Sequence, residues 1–411
     1  MLLVKMKSEK KLAVLIVLIS ISSVLAWCKV PIGNTTIWWG IDAFVLIFLN
    51  KLRNQCSFNI KVVNLFLILV LCSAVYGVIE QAQIYWDYKL LCDNLMIFLL
   101  PLAAYAYMEP SVLKTTLKSY LKFSPWLLLF LAPFLYSDAY GRFLVPYSFM
   151  ALFFNELDRK NKILVTAAFL ITIIFGSESR SDVIKFTICV CMAICFYYKK
   201  ISRGLLKIIG LVRYVFLVIP FVFFVLGATG VFNIFNVDEE LGFNGKYSMK
   251  AEDVEEDVSA LVDTRTFLYV EEINSAIKNN YVIFGNSIAR GYDSAFFGHS
   301  IDLDLKTNRG ERQSCEVSIL NVFNYFGLVG CIIYFLIFST ASYYAICKSK
   351  NRFVPIIGLY VAFRWTFAWI EDFSKFDLNY LFLWIMIGIC FSPLYRNMTD
   401  EDFKLWVKSI D

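Results

Sequence analysis

The chain has 411 residues, 59% of them hydrophobic and 17% aromatic but only 18% charged, with a mean hydropathy of +0.62. That composition excludes a water-soluble globular domain of this size and points to a membrane protein. The net charge of +5 is the basic excess that cytoplasmic loops carry in multispanning proteins, and it implies no nucleic-acid partner.

At the N-terminus, Lys5, Lys7, Lys10 and Lys11 precede the apolar run Leu12 to Ala26, an arrangement that imitates a secretory signal. Leu25-Ala26-Trp27-Cys28 faintly resembles a lipoprotein cleavage site, but Trp27 stands where cleavage wants a small residue. The segment therefore reads as a retained first transmembrane helix. A span needs roughly 17–25 apolar residues. Segments of that kind lie near 12–28, 36–52, 62–80, 89–108, 120–137, 142–157, 161–176, 182–198, 210–231, 317–346, 353–371 and 377–395. The expected fold is thus an all-α polytopic membrane protein of about twelve transmembrane helices, with one large periplasmic loop between helices 9 and 10.

Lys and Arg test the orientation, because they concentrate in short cytoplasmic loops. The N-terminus, the 51–61, 114–122 and 159–162 loops, 199–207, 348–352 and the tail with Arg396, Lys404 and Lys408 all fall on one side. The opposite loops at 80–89, 137–142, 177–181 and 371–377 are poorer in basic residues. Both termini are expected to be cytoplasmic. The chain divides into helices 1–9 (1–231), an extracytoplasmic loop subdomain (232–316), helices 10–12 (317–395) and a cytoplasmic tail (396–411). The loop is acidic in its first half, from Asp238 to Asp257; that this half acts as a lid over a cleft is a hypothesis to test. Later in the loop, Phe267, Val270, Ile273 and Ile277 are spaced as on an amphipathic helix over Thr264–Lys278, capped by Asp263 or Thr264. Gly285, Gly291 and Gly298 mark turns after it.

Of the eleven cysteines, most lie in apolar stretches, where a thiol is a small hydrophobe, and none has metal-ligand spacing. Cys28 and Cys315 are the two placed to reach an oxidising compartment, where a disulfide between them is an expectation to test.

Ionisable groups at membrane depth are costly and so mark candidate sites. Ser177-Glu178-Ser179-Arg180-Ser181-Asp182 is a polar turn between two helices, with Lys185 one turn further in. Arg180 and Lys185 could together clamp a phosphate, or Arg180 could simply pair with Glu178 or Asp182. Arg364 lies deep in the eleventh span and needs an anion, either a protein carboxylate or a substrate. The stretch 296–316 holds the only histidine, His299, with Asp302, Asp304, Arg309, Glu311, Arg312 and Glu316. A histidine or carboxylate there could serve as general base toward a sugar hydroxyl, while a solvated loop histidine is the ordinary alternative.

The sequence carries no phosphate-binding lysine loop, no dinucleotide fingerprint and no zinc-protease histidine pair. The DxD-like pair Asp302-x-Asp304 falls outside the cytoplasm, where nucleotide sugars are scarce. Neither a metal nor a cofactor is expected. A polyprenyl-pyrophosphate sugar, already energised and already in the membrane, suits these constraints as donor.

Several segments, in order, resemble the O-antigen polymerase and O-antigen ligase superfamily of membrane glycosyltransferases. They are the serine-rich turn at 175–181, Asp263-Thr-Arg265-Thr-Phe followed by Asn280-Tyr-Val-Ile-Phe-Gly285, and Glu316-Val-Ser-Ile-Leu-Asn-Val-Phe-Asn-Tyr-Phe-Gly327-Leu-Val-Gly330. The resemblance implies a metal-independent polymerase with undecaprenyl-pyrophosphate-linked oligosaccharides as donor and acceptor, and with a separate protein regulating chain length. By the same resemblance Arg180 and Arg265 would bind the pyrophosphate, with Arg290, Arg312 and Arg364 as further basic candidates. Where many relatives carry a histidine heading the re-entry helix, this chain has Glu316, so the base stays open between Glu316 and His299. A ligase is the alternative within the class. A lipid-linked repeat-unit flippase is the alternative outside it, disfavoured by the long loop and the lack of similar halves.

Overall fold

A computed structural model describes residues 2–25, 27–29, 35–176, 179–198, 203–229 and 264–410. Ser177, Glu178, the acidic stretch proposed as a lid and the Asp263 cap lie outside the described residues. Among those described the regular structure is helical, apart from a pair of two-residue strands and one isolated bridge. The helices are α1 (Leu2–Leu25), α2 (Thr35–Arg53), α3 (Lys61–Tyr76, prolonged by a wider turn over Gly77–Gln81), α4 (Tyr85–Leu99), α5 (Leu102–Ala106) and α6 (Pro110–Leu131). There follow α7 (Ser137–Phe143), α8 (Val145–Ala151), α9 (Arg159–Phe175), α10 (Arg180–Tyr198) and α11 (Arg203–Ala228). Beyond the gap come α12 (Thr264–Lys278), α13 (Gly298–Leu305), α14 (Ser318–Cys347), α15 (Phe353–Phe367), α16 (Leu378–Phe391), α17 (Pro393–Asn397) and α18 (Asp400–Lys408).

Among the described residues, four helical stretches are long and apolar enough to cross a membrane: Lys61–Gln81, Tyr85–Ala106, Lys207–Ala228 and Ser318–Cys347. Helices α15 and α16 are equally apolar but shorter. The segment expected as a sixth span, 142–157, is not one helix. It breaks between α7 and α8, where Pro146 supplies no amide donor and biases Leu144-Val145 toward a new start, and it ends in a 3-10 turn over Phe154–Glu156. Helix α6, expected as a fifth span near 120–137, begins ten residues earlier, with Pro110 at its first position, and stops in a turn containing Pro133. The tail is not a loose end: α18 carries a Thr399–Asp402 capping box and buries Phe403 and Trp406 against Phe353 and Tyr395.

The centre of the bundle is α16, every residue of which is buried, as an all-round apolar helix requires. Around it Phe66, Phe98, Tyr325, Phe326, Tyr334 and Trp384 interlock, largely edge to face, joining α3, α4, α14 and α16. The outward faces are as apolar as the core. Leu65, Ile68, Leu71 and Val75 on α3 and Leu211, Val215, Val218, Val222 and Val225 on α11 are all exposed, a surface that a hydrocarbon solvent tolerates and water does not.

Helix α14 is broken. Gly327 takes φ 64°, ψ −163° in its middle, which interrupts the hydrogen-bond ladder. The freed groups are satisfied by the 281–286 segment: Leu328 and Val329 donate to the carbonyls of Val282 (2.9 Å) and Ile283 (3.2 Å), and Asn286 donates to the carbonyl of Asn324 (2.6 Å). The approach leaves no space for side chains. A Cβ on Gly285, itself at φ 80°, would lie 2.4 Å from the backbone of Tyr325 and Phe326, and one on Gly327 would lie 2.3 Å from that of Ile283. Two of the glycine-bearing motifs singled out in the sequence are therefore two halves of one joint.

Candidate functional site

The segment 264–316 sits on the end of the bundle that holds this joint. Helix α12 has the expected bounds, but the face it turns inward is not the expected stripe. Leu268, Glu271, Glu272, Ser275 and Ala276 are buried, whereas Val270 and Ile277 are more than half exposed. The polar inner face is used as a frame. Glu271 accepts hydrogen bonds from the amides of Ala295 (2.7 Å) and Phe296 (3.1 Å) and from the Ser294 hydroxyl (2.7 Å), and Ser275 accepts from the Tyr281 hydroxyl (2.7 Å) and the Asp293 amide (2.9 Å). Glu272 is fully buried and neither carboxylate oxygen meets hydrogen-bond geometry. Burial pushes its carboxyl well above the usual range, against the pull of the nearby Tyr281 phenol.

The basic and acidic candidates of 290–316 are largely paired with one another. The strands β1 (Tyr292–Asp293) and β2 (Glu311–Arg312) run antiparallel, with Tyr292 opposite Arg312. Arg290 is bidentate on Glu311, through Nε at 3.0 Å and through Nη2. Arg309 reaches down to the Asp87 carboxylate at the start of α4 (2.9 and 3.0 Å), tying the segment to the bundle. Asp302 accepts from the Thr307 hydroxyl (2.5 Å) and the amides of Arg309 (2.9 Å) and Gly310 (2.7 Å), which hold its carboxyl below the usual range. Asp302-x-Asp304 is thus a loop closure, and among the described residues no cluster of three His, Cys, Asp or Glu could hold a metal ion. His299, second in α13, is exposed, as is Glu316 ahead of α14. Arg312 stacks on Phe297 (4.1 Å) with one nitrogen 3.4 Å from Glu316, and its Nη1 is buried without a partner.

A second group lies between α7, α10 and the turn after α15. Lys185 is buried between Asp182 (2.6 Å) and Glu371 (3.1 Å to each oxygen), and the Ser181 hydroxyl also donates to Glu371 (2.6 Å). Arg142 contacts Asp377 at 3.6 Å and lies over Trp27. Lys185 is thereby matched by protein carboxylates, and the clamp expected of Arg180 with Lys185 does not assemble: Arg180 is exposed at the first residue of α10. Arg265, second in α12, is partly buried. Arg364 is almost fully buried, donates through Nη1 to Asn379 (2.8 Å) and lies over Phe373 (4.5 Å), while Nε and Nη2 lack partners. The cavity beside it, of about 20 Å³, has room for a water and not for a pyrophosphate. Cys28 and Cys315 are free thiols, so the expected disulfide is absent: Cys315 is buried, its thiol turned to the Val317 carbonyl, and Cys28 donates to Val24 at the end of α1.

Two larger spaces adjoin this end of the bundle. One, about 360 Å³, is the more polar of the two and is walled by Asp42 of α2, Asp93 and Asn94 of α4, Gln313, Ser314 and the turn after α15, together with the apolar Leu90, Met96 and Ile97. Asp93 accepts from the indole of Trp39, and Asp372 accepts from the Ser374 amide (2.8 Å) and the Ser318 hydroxyl (3.3 Å). Burial raises the Asp372 carboxyl above its usual range, with Lys375 opposing. Asp42 is 8% exposed and its Oδ1 has no partner. The other space, about 300 Å³, is an apolar groove between α11, α12 and the end of α15, lined by Pro220, Phe223, Phe224, Val270, Ile273 and Trp369. Asp42 and Asp93 were not among the sequence candidates, although a lone carboxylate inside an apolar span is itself the signal that finds them. No family model matches the chain, and neither a curated protein nor a solved structure matches it.

Proposed function

We propose that this chain is a polysaccharide polymerase of the inner membrane that joins undecaprenyl-pyrophosphate-linked oligosaccharide repeats at the outer face, without a metal. The observation that supports this most is the stretch 366–376, from the end of α15 into the turn after it, which walls the apolar groove with Thr366, Trp369 and Ile370 and the other cavity with Asp372, Ser374 and Lys375. A substrate that is greasy at one end and hydroxylated at the other suits such a pair of spaces, and lipid-linked saccharides have that form. The apolar outer faces of α3 and α11 support residence in a bilayer, and the Lys and Arg distribution supports cytoplasmic termini with 264–316 outside.

In this reading the polyprenyl tail lies along α11 and α12, and the pyrophosphate meets arginines at the mouth. Arg180 is exposed and Arg312 lies beside the exposed Glu316, while Arg265 stands at the start of the helix that lines the groove. Arg290 positions β2 through Glu311 and acts on the phosphate only indirectly. As the anomeric C–O bond breaks, negative charge gathers on the leaving pyrophosphate, and fixed guanidinium groups stabilise it.

Deleting the gene and resolving the surface glycans on a gel tests the reading. The expected result is collapse of the ladder to single repeats, restored by the wild-type gene and reduced at least tenfold with Arg180→Ala or Arg312→Ala at normal membrane levels. An unchanged ladder in the deletion strain would end it, and polymer stalled on the lipid carrier would indicate a ligase.

A further inference from the structure

We propose that the polar cavity is the subsite for the terminal sugar of the acceptor glycan, with Asp42 accepting the proton of the attacking hydroxyl; this rests on the polymerase reading. The three carboxylates that line the cavity are not equivalent. Asp93 is held by the Trp39 indole, and Asp372 is held by Ser374 and Ser318. Asp42 lines the cavity, is more than nine-tenths buried, and has its Oδ1 buried without a hydrogen-bond donor. A buried acceptor of this kind calls for an O–H or N–H group, and a sugar hydroxyl is both a donor and the nucleophile that the reaction needs.

The rest of the lining fits a saccharide better than a cation. Amides and hydroxyls of Asn94, Gln313 and Ser314 share the walls with Lys375, and the half-buried Phe376 offers a ring to the apolar side of a pyranose. The volume of about 360 Å³ falls within the small-molecule range of roughly 300–1,000 Å³. The described residues hold no three-ligand cluster for a metal.

In the step itself, the acceptor oxygen forms a bond to the anomeric carbon of the donor while the bond from that carbon to the pyrophosphate oxygen breaks. The electron pair leaves with the pyrophosphate, and the hydroxyl proton passes to Asp42. His299 and Glu316, the two bases expected from sequence, do not line this cavity.

The test uses the full chain in lipid nanodiscs and, as probe, the oligosaccharide released by mild acid from the host's own lipid-linked repeats. Titration calorimetry is expected to show binding that falls at least tenfold in Asp42→Asn and Asp93→Asn and is unchanged in His299→Ala. Asp42→Asn should melt no lower than wild type, since it removes an unpartnered charge from the interior, so lost binding is not lost folding. In cells it should abolish the ladder, and Asp42→Glu should restore part of it. Wild-type affinity in Asp42→Asn, no binding of the saccharide to wild type, or displacement of the saccharide by Mg²⁺ would each overturn the subsite. If deletion of the gene collapses the ladder but Asp42→Asn keeps it, the subsite falls and the polymerase stands. If deletion leaves the ladder intact, the polymerase falls, and calorimetry still decides whether the cavity binds sugar.

Discussion

Two regions at the same end of the molecule use charge in opposite ways. In the framework of ion pairs, Arg290 with Glu311, Arg309 with Asp87, and Lys185 with Asp182 and Glu371, buried or half-buried cations are matched by carboxylates of the protein. In the cavity beneath, Asp42, Asp93 and Asp372 face one partly exposed lysine, and Asp42 has an oxygen with no donor. Matched charges at low dielectric are a poor place to bind substrate, because each already has its partner and exchanging it costs the desolvation again. Unmatched polar atoms beside a space are where binding energy remains available.

That contrast can be broken from the framework side first. Removing one member of a buried ion pair leaves the others uncompensated, at a cost of roughly 3–5 kcal/mol. Lys185→Ala should therefore lower the melting temperature in detergent sharply, while the triple change Lys185→Met with Asp182→Asn and Glu371→Gln should recover most of it. A Lys185→Ala protein that melts like wild type would show that the cluster is wet. Gly327→Ala attacks the joint that carries the framework. A residue forced into a left-handed conformation costs about 1–3 kcal/mol, and the added methyl meets the Ile283 backbone at 2.3 Å, so limited proteolysis should release the 264–316 segment more readily.

Glu272 sharpens the comparison by titration. Its folded-state carboxyl is raised above the ordinary value of 4.5, so its contribution is fully present below that pH and is lost as pH rises toward the folded value. Across that window stability should fall by about 1.4 kcal/mol per pH unit from this group. Glu272→Gln should remove that slope and leave the protein more resistant to thermal unfolding at neutral pH; identical pH profiles for the two proteins would show that the carboxyl is solvated. The smallest effect is expected at the thiols. With Cys28 and Cys315 both free, reducing agent or Cys28→Ser should shift stability by no more than about 0.5 kcal/mol.

Much of the fold was legible in the sequence. Hydropathy found the long apolar helices α3, α4, α11 and α14, and the spacing of Thr264–Lys278 set the bounds of α12. The facing of α12 was not legible, because its apolar stripe lines a groove against α11 while Glu271 and Ser275 turn inward to hold loop amides, an arrangement that depends on a distant segment. The broken 142–157 segment was misread because a hydropathy window averages over Pro146. The same averaging hid Asp42 and Asp93, single carboxylates in otherwise apolar runs, and Arg213, whose guanidinium is met by Ser342 and Ser339. Clusters of charge attracted notice, yet a cluster is also what self-pairing requires. Of the basic candidates, Arg290 proved paired and Arg364 enclosed, and nothing in their sequence spacing separates these from the exposed Arg180.

The interruption of α14 at Gly327 also bears on biosynthesis. The strip that completes its ladder, 281–286, precedes it in the chain, so it leaves the ribosome first and is on hand when the helix arrives. In a bilayer, which Ser318–Cys347 is long and apolar enough to cross, the amides of Leu328 and Val329 would stay unpaired until that strip docks. Synthesis in the reverse order, as in a circular permutant that begins within α14, would leave those amides waiting in the bilayer for their partner.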